Sequence, residues 1–244
     1  MLGTLINVAA LALGGLVGLR WSRPPGLLSQ QRLRVLLGAC TIFFGFQIIW
    51  RSLSGSIPRM LGQVALALLA LVLGRLLGRA LHLQKRLNRV GQFARERLLQ
   101  ANTRRPSPGD AFAACAGLFC LTPLAVIGSL HEGLTADFRL LAVKAVMEAL
   151  AMQSMIKPLG PAALGAAVPV LAFQGTLTIA ARAALPWIES HGGPGVTGCA
   201  IGLLTAAAAL MMLEIHKVIR GRPIEMADYL PSLIVAPLLA ALLG

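Results

Sequence analysis

Lys144 and Glu148 are oppositely charged residues four positions apart in an otherwise apolar stretch of the chain. Four positions is just over one turn of an α-helix, so both side chains lie on the same face. Charged groups inside a bilayer are costly and must face protein or water. Such a pair can bind or relay an ion, or it can be a structural pair that fixes helix packing. The sequence leaves both alternatives open.

A second polar group lies in the apolar stretch 161–184, where Gln174, Thr176 and Thr178 surround Gly175. Glycine lets a backbone or a ligand approach closely. Pro169, about a turn and a half earlier, can free a backbone carbonyl, and transporters bind ions at broken helices with exposed carbonyls. Hydrogen bonding between helices is the open alternative. Asn7 is a lone polar residue in the apolar stretch 2–19, where it is either a ligand or a hydrogen-bonding group in helix packing. We predict that six residues line a transport pathway: Lys144, Glu148, Gln174, Thr176, Thr178 and Asn7.

The segment 128–137 is punctuated by glycines and contains the acidic residues Glu132 and Asp137. The distribution of basic residues among the loops places this segment outside the membrane. We expect a loop there, which serves either as an ion entrance or as a polar turn.

Metal-binding and catalytic patterns are missing from the sequence. The cysteines Cys40, Cys115, Cys120 and Cys199 lie within apolar runs and form no CxxC pair, which argues against a disulfide framework or a zinc site. No G-x-S-x-G motif of a serine hydrolase is present. We therefore expect no metal, no cofactor and no enzymatic activity.

The elements that carry these residues are predicted to be membrane-spanning helices. The chain is 57% hydrophobic and only 13% charged, whereas soluble proteins carry about 25% charged residues. Helices satisfy their own backbone groups in lipid, and the lack of period-two alternation excludes a β-barrel. We predict an all-α, polytopic membrane protein with about eight spans: 2–19, 33–50, 60–80, 111–130, 139–156, 161–184, 194–213 and 229–243.

The charge distribution predicts how the spans are oriented. The net charge of +13 would suit nucleic-acid binding, but the basic residues cluster in loops between apolar stretches, as the positive-inside rule describes. Basic residues follow the first stretch rather than precede it, so we expect a retained span and not a signal peptide. The prediction is a multi-pass protein of the bacterial cytoplasmic (inner) membrane with its amino end outside, and no nucleic-acid partner.

The loop between the third and fourth spans is long and basic. Its apolar residues recur at helical spacing over 83–98, which predicts an amphipathic helix on the inner leaflet. A hinge follows at 102–110. The chain then divides into a three-span part (1–80), this basic segment with the hinge (81–110) and a five-span part (111–244). Five basic residues are predicted to contact anionic lipid headgroups: Lys85, Arg86, Arg89, Arg95 and Arg97.

Two further patterns concern the packing of the spans. Spans 1–3 resemble spans 6–8 at several short motifs, and an offset of five spans reverses orientation, so we predict an inverted repeat of the kind found in secondary transporters. Glycines recur at helical spacing in the first and third spans, where Gly14 and Gly18, and Gly74 and Gly78, predict close helix contacts.

Several short motifs are spread over nearly the whole chain: Gly3-Thr4-Leu5-Ile6-Asn7, Gly14-Gly15 with Gly18, Gly128-Ser129, Gly133-Leu134-Thr135, Lys144 with Glu148, Gln174-Gly175, Leu230-Pro231-Ser232-Leu233 and Ala236-Pro237. With these motifs the chain resembles the bacterial integral membrane proteins grouped as domain of unknown function 554. That family usually has aspartate at the position of Glu148, so the resemblance implies a carboxylate there. It implies a helical membrane protein and no established activity.

The sequence therefore favours a transporter or channel for a small solute or ion. The alternative is a non-transporting membrane scaffold or regulatory protein that uses the basic helix at 83–98 for docking. The sequence names neither the solute nor an oligomeric state, and a homo-oligomer is left open.

Overall fold

A computed structural model describes residues 1–20, 26–101, 106–191, 193–213 and 225–243. Within these ranges the chain is α-helical, with one short 3-10 helix (Pro161–Ala166) and no strand, which confirms the all-α class. The α-helices are α1 (Leu2–Arg20), α2 (Leu27–Ser52), α3 (Ile57–Ala80), α4 (Leu83–Gln100), α5 (Pro108–Cys120), α6 (Pro123–Thr135), α7 (Arg139–Leu159), α8 (Ala167–Ser190), α9 (Pro194–Met212), α10 (Met226–Tyr229) and α11 (Ser232–Leu243).

Six helical stretches among the described residues are long and apolar enough to cross a membrane. They are α1, α2, α3, α8 with the 3-10 helix before it, α9, and α10 with α11. The pair α5 and α6 makes a seventh if it counts as one broken span. The predicted count of eight spans is not confirmed, because α7 is too charged to count as one. Every 18-residue stretch of α7 contains three charged residues: Lys144, Glu148 and either Arg139 or Lys157.

The predicted fourth span is two short helices rather than one. α5 ends at Cys120, α6 begins at Pro123, and their axes differ by 56°. Proline lacks a backbone donor and disfavours helical conformation in the residue before it, so Thr122 is extended and Pro123 opens the new helix. Half-length helices of this kind leave free carbonyl groups at their carboxyl ends.

Contacts group the chain into two compact units: unit 1 comprises Met1–Leu33 and Lys85–Ala180, and unit 2 comprises Arg34–Gln84 and Ala181–Gly244. Each unit combines segments that are distant in sequence. These units do not coincide with the three consecutive parts predicted from the sequence, 1–80, 81–110 and 111–244. The division into three parts describes the order of segments along the chain and stays a prediction.

In unit 1, α1 packs along α7 through its glycines. A Cβ atom added at Gly14 would lie 2.2 Å from the carbonyl oxygen of Ala149, and one added at Gly18 would lie 2.5 Å from that of Gln153. Only glycine therefore allows this approach, and the close contact predicted for this face is confirmed. Beside it, Leu11 of α1 packs with Met152 and other apolar residues of α7, α5 and the 3-10 helix in a buried cluster.

In unit 2, α3 packs against α9, α10 and α11. Its glycines make the second predicted close contact, since a Cβ atom at Gly74 would lie 2.4 Å from the nitrogen of Ser232 and one at Gly78 would lie 2.1 Å from the carbonyl oxygen of Asp228. The end of this contact is fixed by reciprocal hydrogen bonds: the Gln84 nitrogen donates to Asp228 Oδ1 at 3.0 Å, and the Ala227 nitrogen donates to Gln84 Oε1 at 3.0 Å.

The amphipathic helix predicted over 83–98 is confirmed as α4, which runs over Leu83–Gln100. Ala94 is buried on its apolar side, and most of its basic residues are exposed. In unit 1 it approaches α5 closely, because a Cβ atom at Gly117 would lie 2.5 Å from Val90 Cγ1. Residues 102–105 of the predicted hinge lie outside the described residues.

Candidate functional site

Four helices of unit 1 each contain a pair of buried polar side chains three or four positions apart, and α6 also buries His131 outside its pair. This spacing places both side chains of a pair on one helix face, about one turn apart. We call the eight residues the polar cluster: Thr4 and Asn7 of α1, Ser129 and Glu132 of α6, Lys144 and Glu148 of α7, and Gln174 and Thr178 of α8.

Lys144 and Glu148 form the centre of the polar cluster. Both are nearly inaccessible, with 2% and 4% exposure. The Lys144 ammonium pairs with the Glu148 carboxylate and also donates a hydrogen bond of 3.2 Å to the carbonyl oxygen of Phe119. Phe119 lies in the last turn of α5, where unpaired carbonyls give the helix end a partial negative charge. The buried ammonium is therefore compensated by a carboxylate and by a helix end.

Asn7 connects this ion pair to α8. Its Nδ2 donates to Glu148 Oε2 at 2.8 Å and to Gln174 Oε1 at 3.2 Å. Asn7 Oδ1, Gln174 Nε2 and Ser129 Oγ are buried without a hydrogen-bond partner among the described residues. Buried polar atoms are normally paired, so the cluster has one acceptor, one amide donor and one hydroxyl available to water or to a small polar solute.

Glu132 lies in helix α6 and not in the loop that the sequence predicted for segment 128–137. Its carboxylate is buried and accepts hydrogen bonds from the nitrogen of Gly3 at 2.5 Å, from the nitrogen of Thr4 at 3.3 Å and from Thr4 Oγ1 at 3.2 Å. These nitrogens belong to the first turn of α1, whose donors have no partner within the helix. Glu132 therefore caps α1 from another helix, and the prediction that it lies in a loop was wrong.

Replacing Glu132 with Gln is expected to lower the free energy of unfolding by about 2 kcal/mol, because hydrogen bonds to charged groups contribute about 1.5–3 kcal/mol. The new amide group would also turn a donor toward the donors of Gly3 and Thr4. Titration of the purified protein with dodecyl sulfate, followed by circular dichroism, measures the difference. Glu189→Gln, at an exposed position of α8, is the control and should change stability by less than about 0.5 kcal/mol. Equal stability of the two variants would show that Glu132 does not hold α1.

The remaining predicted site residues have different positions. Thr178 belongs to the polar cluster, and its hydroxyl donates to the carbonyl oxygen of Ser129 at 3.2 Å. Thr176 does not belong to it, because it lies on the exposed face of α8, about half a helical turn away from Gln174. Asp137 follows α6 and accepts a hydrogen bond of 3.0 Å from the nitrogen of Arg139 at the start of α7.

Comparison with known proteins identifies the family. A family profile described as "protein of unknown function (DUF554)" matches residues 2–241. The chain belongs to this family. It is 27% identical over 254 residues to the uncharacterised protein YqgA of Escherichia coli (strain K12), with 99% of this chain and 97% of YqgA covered. It is 23% identical to the uncharacterised membrane protein YdfK of Bacillus subtilis (strain 168), with 97% and 94% covered. No solved structure matches the chain.

Membership of the DUF554 family confirms the resemblance found in the sequence. The relative named as a membrane protein and the long apolar helices together indicate a membrane protein. The names of the two relatives state no activity. The chemistry of this DUF554 protein must therefore be argued from its own residues.

Sequence reasoning missed three parts of the site in this DUF554 protein: the Phe119 carbonyl, Thr4 and Ser129, the last of which was noted only within a motif. The Phe119 carbonyl was not predicted, although the pair Thr122-Pro123 inside an apolar stretch signals a helix break just after it. Thr4 was noted only as part of a motif. No local signal links Thr4 to Glu132, because 128 positions separate the two residues.

Proposed function

We propose that the protein is a transporter or channel for a small solute or ion, and that the polar cluster is part of its pathway. The observation that carries the proposal is the buried Lys144–Glu148 pair, whose ammonium donates to the Phe119 carbonyl at the end of a broken helix. In secondary transporters, half-helix ends and unwound carbonyls near the membrane centre coordinate cations and solutes.

The composition of the polar cluster supports a functional role beyond packing. A buried ion pair is weak as a stabilising device, because the desolvation of both charges offsets their attraction. Apolar residues of similar volume would hold α7 at least as well. The cluster also retains unpartnered groups on Asn7, Gln174 and Ser129, whereas a purely structural network is most stable when every group is paired.

The arrangement suggests how the site would work. A proton or another cation that binds Glu148 neutralises its carboxylate and weakens its attraction for the Lys144 ammonium. Lys144 can then leave the Phe119 carbonyl, and that carbonyl, with the amides of Asn7 and Gln174, becomes available to a solute. When the proton or cation leaves Glu148, the carboxylate is charged again, and return of Lys144 to it would expel the solute and reset the site.

The proposal includes an orientation. The protein lies in the cytoplasmic (inner) membrane with its amino end outside, which puts the basic helix α4 on the cytoplasmic side as the positive-inside rule requires. In this orientation Lys85, Arg86 and Arg89, all on α4, face the anionic inner leaflet.

Flux measurements on Glu148 variants test the role of the carboxylate. In proteoliposomes, with protons followed by an internal pH dye and sodium by a radioactive tracer, we expect Glu148→Gln to reduce the flux of the wild type at least tenfold. Glu148→Asp retains the charge and should keep a substantial part of that flux. Gel filtration before reconstitution ensures that only folded protein is compared. Unchanged flux in Glu148→Gln would end this role for Glu148.

Access of water to the site is tested through Cys120, which directly follows Phe119 and is half-buried. A variant that keeps Cys120 as its single cysteine should react in proteoliposomes with a charged methanethiosulfonate reagent added on one side. A matched variant that keeps only Cys115, which is fully buried on the same helix, should not react. Equal protection of both cysteines would contradict a water-accessible pathway.

A membrane scaffold is the second candidate, favoured by the exposed basic face of α4. Replacement of Lys85, Arg86 and Arg89 by Gln would remove charge from this helix and leave its apolar side intact. Loss of a co-purifying partner with unchanged flux of the reconstituted protein would favour the scaffold. Loss of flux in Glu148→Gln with the partner retained would favour the transporter.

A further inference from the structure

Unit 1 contains an open cleft between α4 and the turn that joins α5 to α6. Its volume is about 410 Å³, within the range of about 300–1,000 Å³ that is typical of ligand sites. Val90, Gly91 and Arg95 line one side, and Leu118, Leu121 and Thr122 line the other. Most of these side chains are apolar, so the cleft combines apolar walls with one permanent positive charge.

Two features make the cleft electropositive. Arg95 is exposed and forms no ion pair or hydrogen bond with the described residues, whereas Arg97 on the same helix pairs with Asp110 at 3.5 Å. The amino end of α6 also opens onto the cleft, since Thr122 and Pro123 line it. A helix amino end carries partial positive charge, which favours an anion.

An unpaired hydroxyl lies at the same end of α6. Thr122 Oγ1 is buried and has no hydrogen-bond partner among the described residues, although Thr122 precedes the helix at the position where a side chain usually caps it. Buried polar atoms are normally paired. The amino end of α6 therefore has no side-chain cap, and its partial positive charge is left for a ligand in the cleft.

We propose that this cleft binds one anionic phospholipid of the adjacent leaflet. Arg95 and the amino end of α6 would hold the phosphate, and the apolar walls would cover the glycerol region and the start of the acyl chains. The basic residues elsewhere on α4 raise the local concentration of anionic lipid. The proposal goes beyond transport and does not depend on it.

A lipid in this position would touch the turn that supports the polar cluster. Leu118 and Leu121 line the cleft on either side of Phe119, and the Phe119 carbonyl accepts the hydrogen bond from Lys144. The headgroup would thus contact both α4 and the turn between α5 and α6, and stabilise the packing of one on the other.

The test uses the full-length protein in a non-ionic detergent after removal of native lipid. Dioctanoyl phosphatidylglycerol and dioctanoyl phosphatidylcholine are titrated while the Tm is followed, and native mass spectrometry counts the bound lipids. We expect phosphatidylglycerol to raise the Tm and phosphatidylcholine to leave it unchanged. Arg95→Gln should weaken the apparent affinity for phosphatidylglycerol about tenfold, because a charge-assisted hydrogen bond is lost.

Two further variants separate a site from general attraction. Arg89→Gln makes the same charge change on the same helix but outside the cleft, and should change the affinity less than about twofold. Gly91→Leu places an apolar side chain in the cleft, and a Cβ atom at Gly91 has open space around it, with nothing within 4 Å. It should keep the Tm of the lipid-free protein and abolish the shift with phosphatidylglycerol.

Two outcomes would overturn the proposal. Equal loss of affinity in Arg95→Gln and Arg89→Gln would mean that lipid is attracted by the overall charge of α4 and not by a site. A Tm rise with glycerol 3-phosphate that matches the rise with phosphatidylglycerol would mean that the cleft binds soluble phosphate esters. If Gly91→Leu lowers the Tm of the lipid-free protein, the comparison of the two arginine variants decides alone.

Discussion

Lys144→Met is expected to lower the free energy of unfolding by about 3–5 kcal/mol, because the Glu148 carboxylate would then remain buried without its cation. Glu148 is 4% exposed and retains only the hydrogen bond from Asn7 among the described contacts. Glu148→Gln should have an effect of similar size, since it leaves the Lys144 ammonium with the Phe119 carbonyl alone. Dodecyl sulfate titrations monitored by circular dichroism give both values.

The double variant Lys144→Met with Glu148→Gln should recover more than half of that loss. It removes both charges together, and the replacement of a buried pair by neutral groups is often close to neutral in stability. The hydrogen bond from Asn7 does not require a charged acceptor, because the amide side chain introduced by Glu148→Gln also offers an oxygen. If the two single losses simply add in the double variant, the side chains are not coupled as a pair.

The same double variant separates structure from function. Its stability should be restored while its proton and sodium flux stays at the level of empty liposomes, because the proposed mechanism needs a carboxylate that can be neutralised and an ammonium that can move. A stable double variant that transports like the wild type would show that the pair only fixes helix packing.

Gly14→Ala is expected to destabilise the protein by about 3 kcal/mol, at the upper end of typical overpacking effects. The added Cβ would lie 2.2 Å from the carbonyl oxygen and 2.6 Å from the Cα of Ala149, and both are backbone atoms of α7. Backbone atoms cannot change rotamer, so α1 must move away from α7. This movement would also stretch the hydrogen bond between Asn7 and Glu148.

The matched control for this variant is Gly175→Ala on α8. A Cβ there would meet only the terminal methyl group of Met1, at 3.1 Å, and a flexible methionine can give way. Alanine favours a helix over glycine by about 1 kcal/mol, so the control should be as stable as the wild type or slightly more stable. Thermal unfolding in detergent compares the two variants, and similar Tm values would contradict the close packing of α1 on α7.

Part of the site could be predicted because its signals are local. The spacing of Lys144 and Glu148 places them on one helix face without any knowledge of the fold. The need to bury charge away from lipid predicts that this face points into protein. Asn7 was proposed as a lone amide in an apolar helix, and Gln174 as part of the polar group around Gly175. In the structure Asn7 hydrogen bonds to Glu148, and Gln174 hydrogen bonds to Asn7.

The rest of the site depends on contacts between distant segments, which hydropathy does not encode. The acidic character of Glu132 suggested a loop. In the structure its carboxylate accepts hydrogen bonds from the first turn of α1, and these bonds allow Glu132 to be buried within α6. Thr176 was grouped with Gln174 by proximity in sequence, although two positions along a helix turn a side chain by about 200°.

The amino-acid sequence alone determined that the chain is a helical membrane protein, because apolar length and the lack of backbone partners in lipid leave no other structure. Its motifs also determined the family. The tertiary structure decided which helices meet: glycines let α1 approach α7, a proline breaks the fourth span, and the free carbonyl of Phe119 reaches Lys144. Such contacts depend on the shapes of two surfaces at once, which a single segment of sequence does not specify.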